Sequence, residues 1–207
     1  MEQEVETSLV VVPKEYPEFT FDLEKLNLIH FADPRLQKRP PDFDFGGDVN
    51  PVLLANSLFK RMEGLGGIGL SANQLGLPYR MFVFGKGTTQ YNMFNPLVIG
   101  VSKETVVMEE GCLSFPELFL PIKRPAEVTA SYTTEKNTVA ICTFKGLAAR
   151  IFLHEYDHME GVTFIQHASK FKVDWALKKI EKQIKKNWEK LQEMAYRRAT
   201  TTKTTVS

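Results

Sequence analysis

An α+β fold is predicted: short antiparallel or mixed β-sheets around a central helix, with another helix before them and an amphipathic one at the C-terminus. Three observations carry this. Strand-like runs crowd between Tyr79 and about Ile141, the segments on either side are apolar at helical spacing, and strands and helices do not alternate as a parallel α/β sheet would require. The whole chain, 1–207, is read as one domain, since 207 residues suffice for a single well-buried core.

The first helix is expected over Asn50 to Gly64, where Val52, Leu53, Ala55, Leu58, Phe59 and Met62 follow the helical period and Pro51 suits an early position. Before it, residues 1–26 read as an N-terminal extension, and "FADPRLQKRPPDFDFGGD" as a loop-rich lead-in. The runs "RMFVFG", "MFNPLVIGV", "EVTASY" and "TVAICTF" read as strands separated by Gly, Pro and Asn turns. In "LAARIFLHEYDHMEG" the period changes to helical, with Leu147, Ile151, His154 and His158 near one face and Gly161 as a stop. Residues 172–198 form a basic helix whose stripe is Leu177, Ile180, Ile184, Trp188 and Leu191. Residues 199–207 have nothing to bury and read as a flexible tail.

Composition narrows the function. Apolar residues make up 43% and charged residues 25%, with a net charge of +1, so nothing global drives the chain toward nucleic acid or membrane. Two cysteines, Cys112 and Cys142, make no disulfide framework, which suits a reducing compartment. The N-terminus is acidic where a targeting peptide is basic, and no run approaches the roughly 18 apolar residues of a membrane span. A cytoplasmic protein is expected.

Gly64, Gly66 and Gly69 match the G-x-G-x-x-G spacing of a dinucleotide loop. Such a loop follows a strand and opens a helix, whereas here a helix runs in and a strand runs out. No nucleotide cofactor is expected. "HEYDH", His154 to His158, carries more: histidines at i and i+4 share a helix face, and Glu155 lies beside them, suited to handle the proton of a metal-bound water. Two histidines alone would better fit the partly buried face of an amphipathic helix; the intervening glutamate turns the balance toward a metal. A catalytic site of this type takes three protein ligands and leaves a position for water. Phe164 stands where a metzincin has its third histidine. Glu181 or Glu189 would serve in a zincin-like peptidase, and Cys112 would serve as a thiolate. Spacing alone leaves these open.

"GIGLSANQ" (Gly67 to Gln74), "EGCLS" (Glu110 to Ser114) and "HEYDH", in that order, resemble the three signature motifs of the peptide deformylases. "DPRL", Asn95-Pro96, Arg124-Pro125 and "KGLAARIFLHEYDHMEGVTF" extend the likeness over about residues 27 to 170. The resemblance implies hydrolytic removal of the N-formyl group from formyl-methionine on nascent polypeptides. It implies Cys112, His154 and His158 around one divalent ion, iron(II), with zinc or nickel also able to bind and water or hydroxide as fourth ligand. Glu155 would be general acid and base, and Gln74 with the Leu113 backbone N–H would face the oxyanion. Gly67, Ile68 and Gly69 would line an extended peptide, and Ile151, with Phe115 and Phe119 nearby, the methionine pocket. Three positions depart from the family pattern: Ser71 for alanine, Leu153 for glutamine, and Phe119 where some members carry a substrate-binding arginine. A non-catalytic ribosome-associated module with a structural metal is the alternative of another class.

Between Lys172 and Arg198 stand nine Lys/Arg and four Asp/Glu. A solvated basic face explains that helix; by resemblance it could also dock on the ribosome.

Overall fold

The computed structural model describes residues 23–201. The expected extension, 1–26, and the tail, 199–207, therefore fall largely outside the described residues, as do the side chains of Ile184, Trp188, Glu189 and Leu191.

Helix α1 (Pro51–Gly64) begins where expected: Asn50 Oδ1 accepts from the backbone N–H of Val52 and Leu53 at 2.9 and 3.1 Å, a cap worth about 1 kcal/mol. Strands β1 (Gly69–Ser71), β2 (Met81–Lys86), β3 (Thr89–Val101), β6 (Glu127–Thr133) and β7 (Val139–Lys145) form an antiparallel sheet in the order β1-β2-β3-β6-β7. Strands β4 (Thr105–Cys112) and β5 (Phe115–Pro125) form a separate two-stranded ribbon. Helix α2 (Gly146–Met159) packs between the sheet and the ribbon, and α3 (Lys170–Thr201) packs on the ribbon.

The run "MFVF" in β2 shows why α2 is central. Alternate strand residues face opposite sides, so Met81 and Val83 pack with α1 while Phe82 and Phe84 pack with α2. Both faces being covered, the strand is continuously apolar. On α2, Phe152 stacks on Phe144 with ring centroids 5.3 Å apart and meets Phe82 edge-on at 5.3 Å. Burying such a ring contributes about 1.5–3 kcal/mol. The opposite face of α2, with His154 and His158, is thereby turned toward the ribbon.

The ribbon is the element the sequence reading lacked. Pro116, Pro121 and Pro125 disguise it, yet Leu118, Leu120, Ile122 and Arg124 are buried at period two and pack toward α2 and α3. The prolines are tolerated because this strand has only one ladder partner. No helix of the described residues is long and apolar enough to cross a membrane.

Candidate metal centre

Strand β4 ends at Cys112, where the ladder shifts register between Gly111 and Cys112, and this places the sulfur over α2. One donor atom each from Cys112, His154 and His158 lies within 4.8 Å of the others. Cys112 Sγ is 3.4 Å from His158 Nε2. His154 turns Nδ1 to Glu110 Oε2 at 3.0 Å, which leaves Nε2 for the cluster. The three sequence-predicted ligands are thus together. Glu181, weighed as an alternative ligand, is exposed on α3 and outside this group.

A buried ion network holds the histidine helix to the ribbon. Glu110 accepts from Arg124 at 2.6 and 2.9 Å and from Arg150 at 2.7 Å. Arg124 reaches on to Asp157 at 2.7 Å, and His167 bonds the same carboxylate oxygen at 2.8 Å. Burial alone would raise the Glu110 carboxyl, but His154 and the two guanidiniums hold it well below the usual range. Burial opposes charging of His154; hydrogen bonds to Cys112 and Glu110 outweigh it and lift the imidazole to about 10. His158 is pushed the other way, by burial and then by the charges of His154 and Arg124. One ring therefore holds a proton at the very place where positive charge is wanted, and its neighbour stays neutral. That suits a divalent cation: a sulfur and two imidazoles are donors for zinc, iron and related ions. The Glu110 contact to His154 is of the kind that fixes the ring of a ligating histidine.

Glu155 is buried beside the cluster, and burial raises its carboxyl although His154 and a Ser71 hydrogen bond oppose the rise. Ser71 Oγ lies 2.7 Å from Glu155 Oε2 and 3.2 Å from Gln74 Oε1. Gln74, on the short 3-10 turn after β1, accepts from the Ser71 backbone N–H at 3.0 Å. Its Nε2 points to Cys112 Sγ at 3.2 Å and Ser114 Oγ at 3.1 Å. Close approach explains two of the glycines: a Cβ on Gly69 would stand 2.4 Å from Glu155 Oε1, and one on Gly67 would stand 2.9 Å from Leu113 Cδ1. The left-handed φ in this loop falls on Gly66, at 72°.

Gln74, Cys112, His154 and Glu155 line a cleft of about 550 Å³ that also includes Ile68, Phe115, Phe119 and Ile151. The model of the polypeptide deformylase family matches residues 25–174. The chain belongs to this family. A deformylase of Wolbachia pipientis wMel is 37% identical over 179 residues, covering 79% of this chain and 98% of the relative. The solved Thermotoga maritima deformylase has a TM-score of 0.66 at 34% identity, covering 70% of this chain and 97% of that one. A deformylase of Synechococcus elongatus, solved in complex with actinonin, has a TM-score of 0.70 at 27% identity, with 81% and 90% covered.

As a deformylase the chain is a metal-dependent hydrolase acting on formylated nascent peptides. Two departures from the family pattern now have a structural consequence. Ser71 adds a hydroxyl within bonding distance of Glu155, more than a small-for-small exchange. Leu153 packs into the core under the sheet, and Glu110 is the carboxylate that accepts from His154 Nδ1. Glu110, Arg124, Arg150, Asp157 and Ser71 are residues around the cluster to which the sequence reading gave no role. A signal existed for Arg150: it lies four residues before His154, on the same helical face.

Proposed function

We propose that Cys112, His154 and His158 hold the metal ion, that Glu155 moves the proton, and that Gln74 Nε2 and the Leu113 N–H face the oxyanion. The observation that carries this is the placement of a buried carboxylate beside three convergent donors, two of which, Cys112 and His154, line the same cleft as the carboxylate. A bound divalent ion supplies Lewis acidity there, drawing the pKa of water down toward about 7 and polarising a carbonyl oxygen.

The chain's own residues do the rest. An extended formylated peptide lies along Gly67, Ile68 and Gly69, where absent side chains admit its backbone. Its methionine faces Ile151 and Phe115. As water adds to the formyl carbon, Glu155 takes the water's proton at a carboxylate oxygen. It then delivers a proton to the peptide nitrogen as the C–N bond breaks, and formate and a free amine leave. Burial tunes this carboxyl upward, toward the operating pH that such a shuttle needs. Gln74 is oriented by its Ser71 contacts before substrate arrives, and its donation to the oxyanion takes over from an Nε2 contact to Cys112 Sγ or Ser114 Oγ. Glu110, with Arg124 and Arg150, keeps His154 in its tautomer.

The physiological ion is iron(II), with zinc or nickel able to replace it, and 1–207 acts as one catalytic domain in the cytoplasm without a nucleotide cofactor. The basic helix α3 docks on the ribosome; exposed Phe171 and Trp175 beside Lys179, whose ammonium lies 5.6 Å from the Trp175 ring, suit a contact with RNA. Charge reversal of Lys178, Lys182, Lys185 and Lys186 should weaken cosedimentation with ribosomes; unchanged binding would remove this part.

The test of the chemistry is formate release from formyl-Met-Ala by protein purified without oxygen. Glu155→Gln should retain its metal while losing about 10²–10⁴-fold in kcat. Cys112→Ala should lose the metal itself. Full turnover by Glu155→Gln would dismiss Glu155 as the proton carrier.

A further inference from the structure

The Ser71 hydroxyl touches both the proton carrier and the oxyanion donor, and it has one hydrogen to share between them. Its Oγ lies 2.7 Å from Glu155 Oε2 and 3.2 Å from Gln74 Oε1. A carboxylate oxygen and an amide oxygen are both acceptors, so each of these contacts asks for the same hydrogen. Ser71, Gln74 and Glu155 are all buried, which keeps bulk water from supplying a second donor. Ser71 ends β1, just before the 3-10 turn (Ala72–Leu75) that carries Gln74, and Glu155 reaches it from α2.

The Gln74 carboxamide is held without the hydroxyl's help. Its oxygen accepts from the Ser71 backbone N–H at 3.0 Å, and its Nε2 faces Cys112 Sγ and Ser114 Oγ. The hydroxyl is therefore able to change acceptor by rotation about its C–O bond, with no other group moving. Charge sets the choice. A hydrogen bond to an ionised acceptor is about twice as strong as one between neutral groups, so the hydrogen lies toward Glu155 while that side chain is a carboxylate. The shorter of the two distances agrees. Once Glu155 has taken a proton from water its charge is gone, and an amide oxygen is a better acceptor than a neutral carboxyl.

We propose that Ser71 is a positioning residue that couples the two halves of the reaction: its hydrogen swings from Glu155 Oε2 to Gln74 Oε1 as Glu155 gains a proton, and back as Glu155 gives it up. Linked hydrogen bonds polarise one another, so an amide whose oxygen accepts a second hydrogen bond donates more strongly through its nitrogen. Gln74 Nε2 therefore reaches its full donor strength in the interval when the oxyanion exists. No bond to Ser71 is made or broken; only the torsion of its O–H changes. The inference rests on the roles of Glu155 and Gln74 proposed above and adds the link between them. The family pattern has alanine at this position, so the link is a feature that this chain adds.

The experiment is a double-mutant cycle in the metal-loaded enzyme on formyl-Met-Ala, joined to neutron diffraction. Ser71→Ala should lower kcat about fivefold, the scale of one net hydrogen bond, with KM unchanged because the link acts after substrate is bound. In a Gln74→Met background the same change should cost about twofold or less, since one of the two acceptors has gone. Neutron maps of the deuterium-exchanged, metal-loaded parent should place the Ser71 deuterium toward Glu155 Oε2 where that carboxyl is bare, and toward Gln74 Oε1 where it carries a deuteron. The maps read the unaltered protein and so test the link even if a variant folds poorly. Effects of Ser71→Ala and Gln74→Met that simply multiply, a change in KM alone, or one orientation of the hydroxyl in both maps would overturn the link. A parental kcat for Gln74→Met by itself would overturn the underlying reading instead.

Discussion

Gly69→Ala tests the geometry of the proton carrier more sharply than removal of Glu155. Gly69 pairs with Phe84 in the sheet, and its φ lies outside the left-handed region, so alanine can adopt its backbone without strain. The added methyl is the whole perturbation. It would stand 2.4 Å from Glu155 Oε1 and 2.9 Å from Ile151 Cγ2, where ordinary contact begins at 3.4 Å. The carboxylate must therefore retreat by about 1 Å, away from its 2.7 Å contact with Ser71. A displacement of that size in a reacting group costs about 10²-fold in rate. Overpacking should cost about 1–3 kcal/mol of stability, too little to unfold a typical domain. No metal donor is among the three atoms nearest the new methyl, so metal content should be unchanged. Adding Ile151→Ala relieves only the second contact and should leave kcat low. Formate release, elemental analysis and a denaturant melt read the three quantities. An undiminished kcat in a folded, metal-loaded Gly69→Ala protein would refute the claim that Glu155 must sit where it does.

Ser71→Ala should lower kcat several-fold with little change in KM, and should move the acid limb of the pH–rate profile upward, because a hydrogen bond to the charged carboxylate is lost; an unmoved limb would argue that Ser71 only fills space. Arg124→Met should destabilise the protein by about 3–5 kcal/mol, since Glu110 would remain buried and Asp157 partly buried without their shared cation; a denaturant midpoint equal to the parent's would contradict this. In the metal-free chain the His154 imidazole is lifted to about 10, above the roughly 6.5 of an unfolded histidine. That stabilisation is fully present below about pH 6.5 and is lost as pH rises toward 10. Chelator-stripped protein should therefore melt more easily at pH 9 than at pH 7, and metal binding at pH 7 should release a proton, readable by calorimetry in two buffers. Proton uptake on binding would show that the imidazole is not the group displaced.

How much of this was legible in the sequence depended on the range of the interaction. The histidine pair and Glu155 share one helical turn, so the helical period alone aligned them, and α1 was read correctly from its apolar spacing and the Asn50-Pro51 start. Cys112 lies 42 residues before His154, and no periodicity spans that distance. What joins them is a ribbon whose strand character was hidden by three prolines, and whose register shift at Gly111/Cys112 is fixed only once β5 lies beside β4. The resemblance supplied the cysteine; the physics of the site lies in the ribbon.

The same ribbon explains why a charged network is buried at all. Glu110, two residues before Cys112, and Arg124, its partner across β4–β5 by side chain, both face α2 because alternation sends the intervening residues outward. Arg150 and Asp157 meet them from the helix. Each of these charges alone would cost several kcal/mol to bury, and only the shared geometry of ribbon and helix makes the set tolerable. The consequence is directional: any change that slips β4 against β5 by one residue turns Glu110 out and Glu109 in, stranding two guanidiniums beside His154 and removing the carboxylate that orients it. Register in this short ribbon is therefore a condition of the site itself, and so Gly111, which lets Phe119 lie across the strand at that point, belongs to the site as much as the residues that touch the reaction.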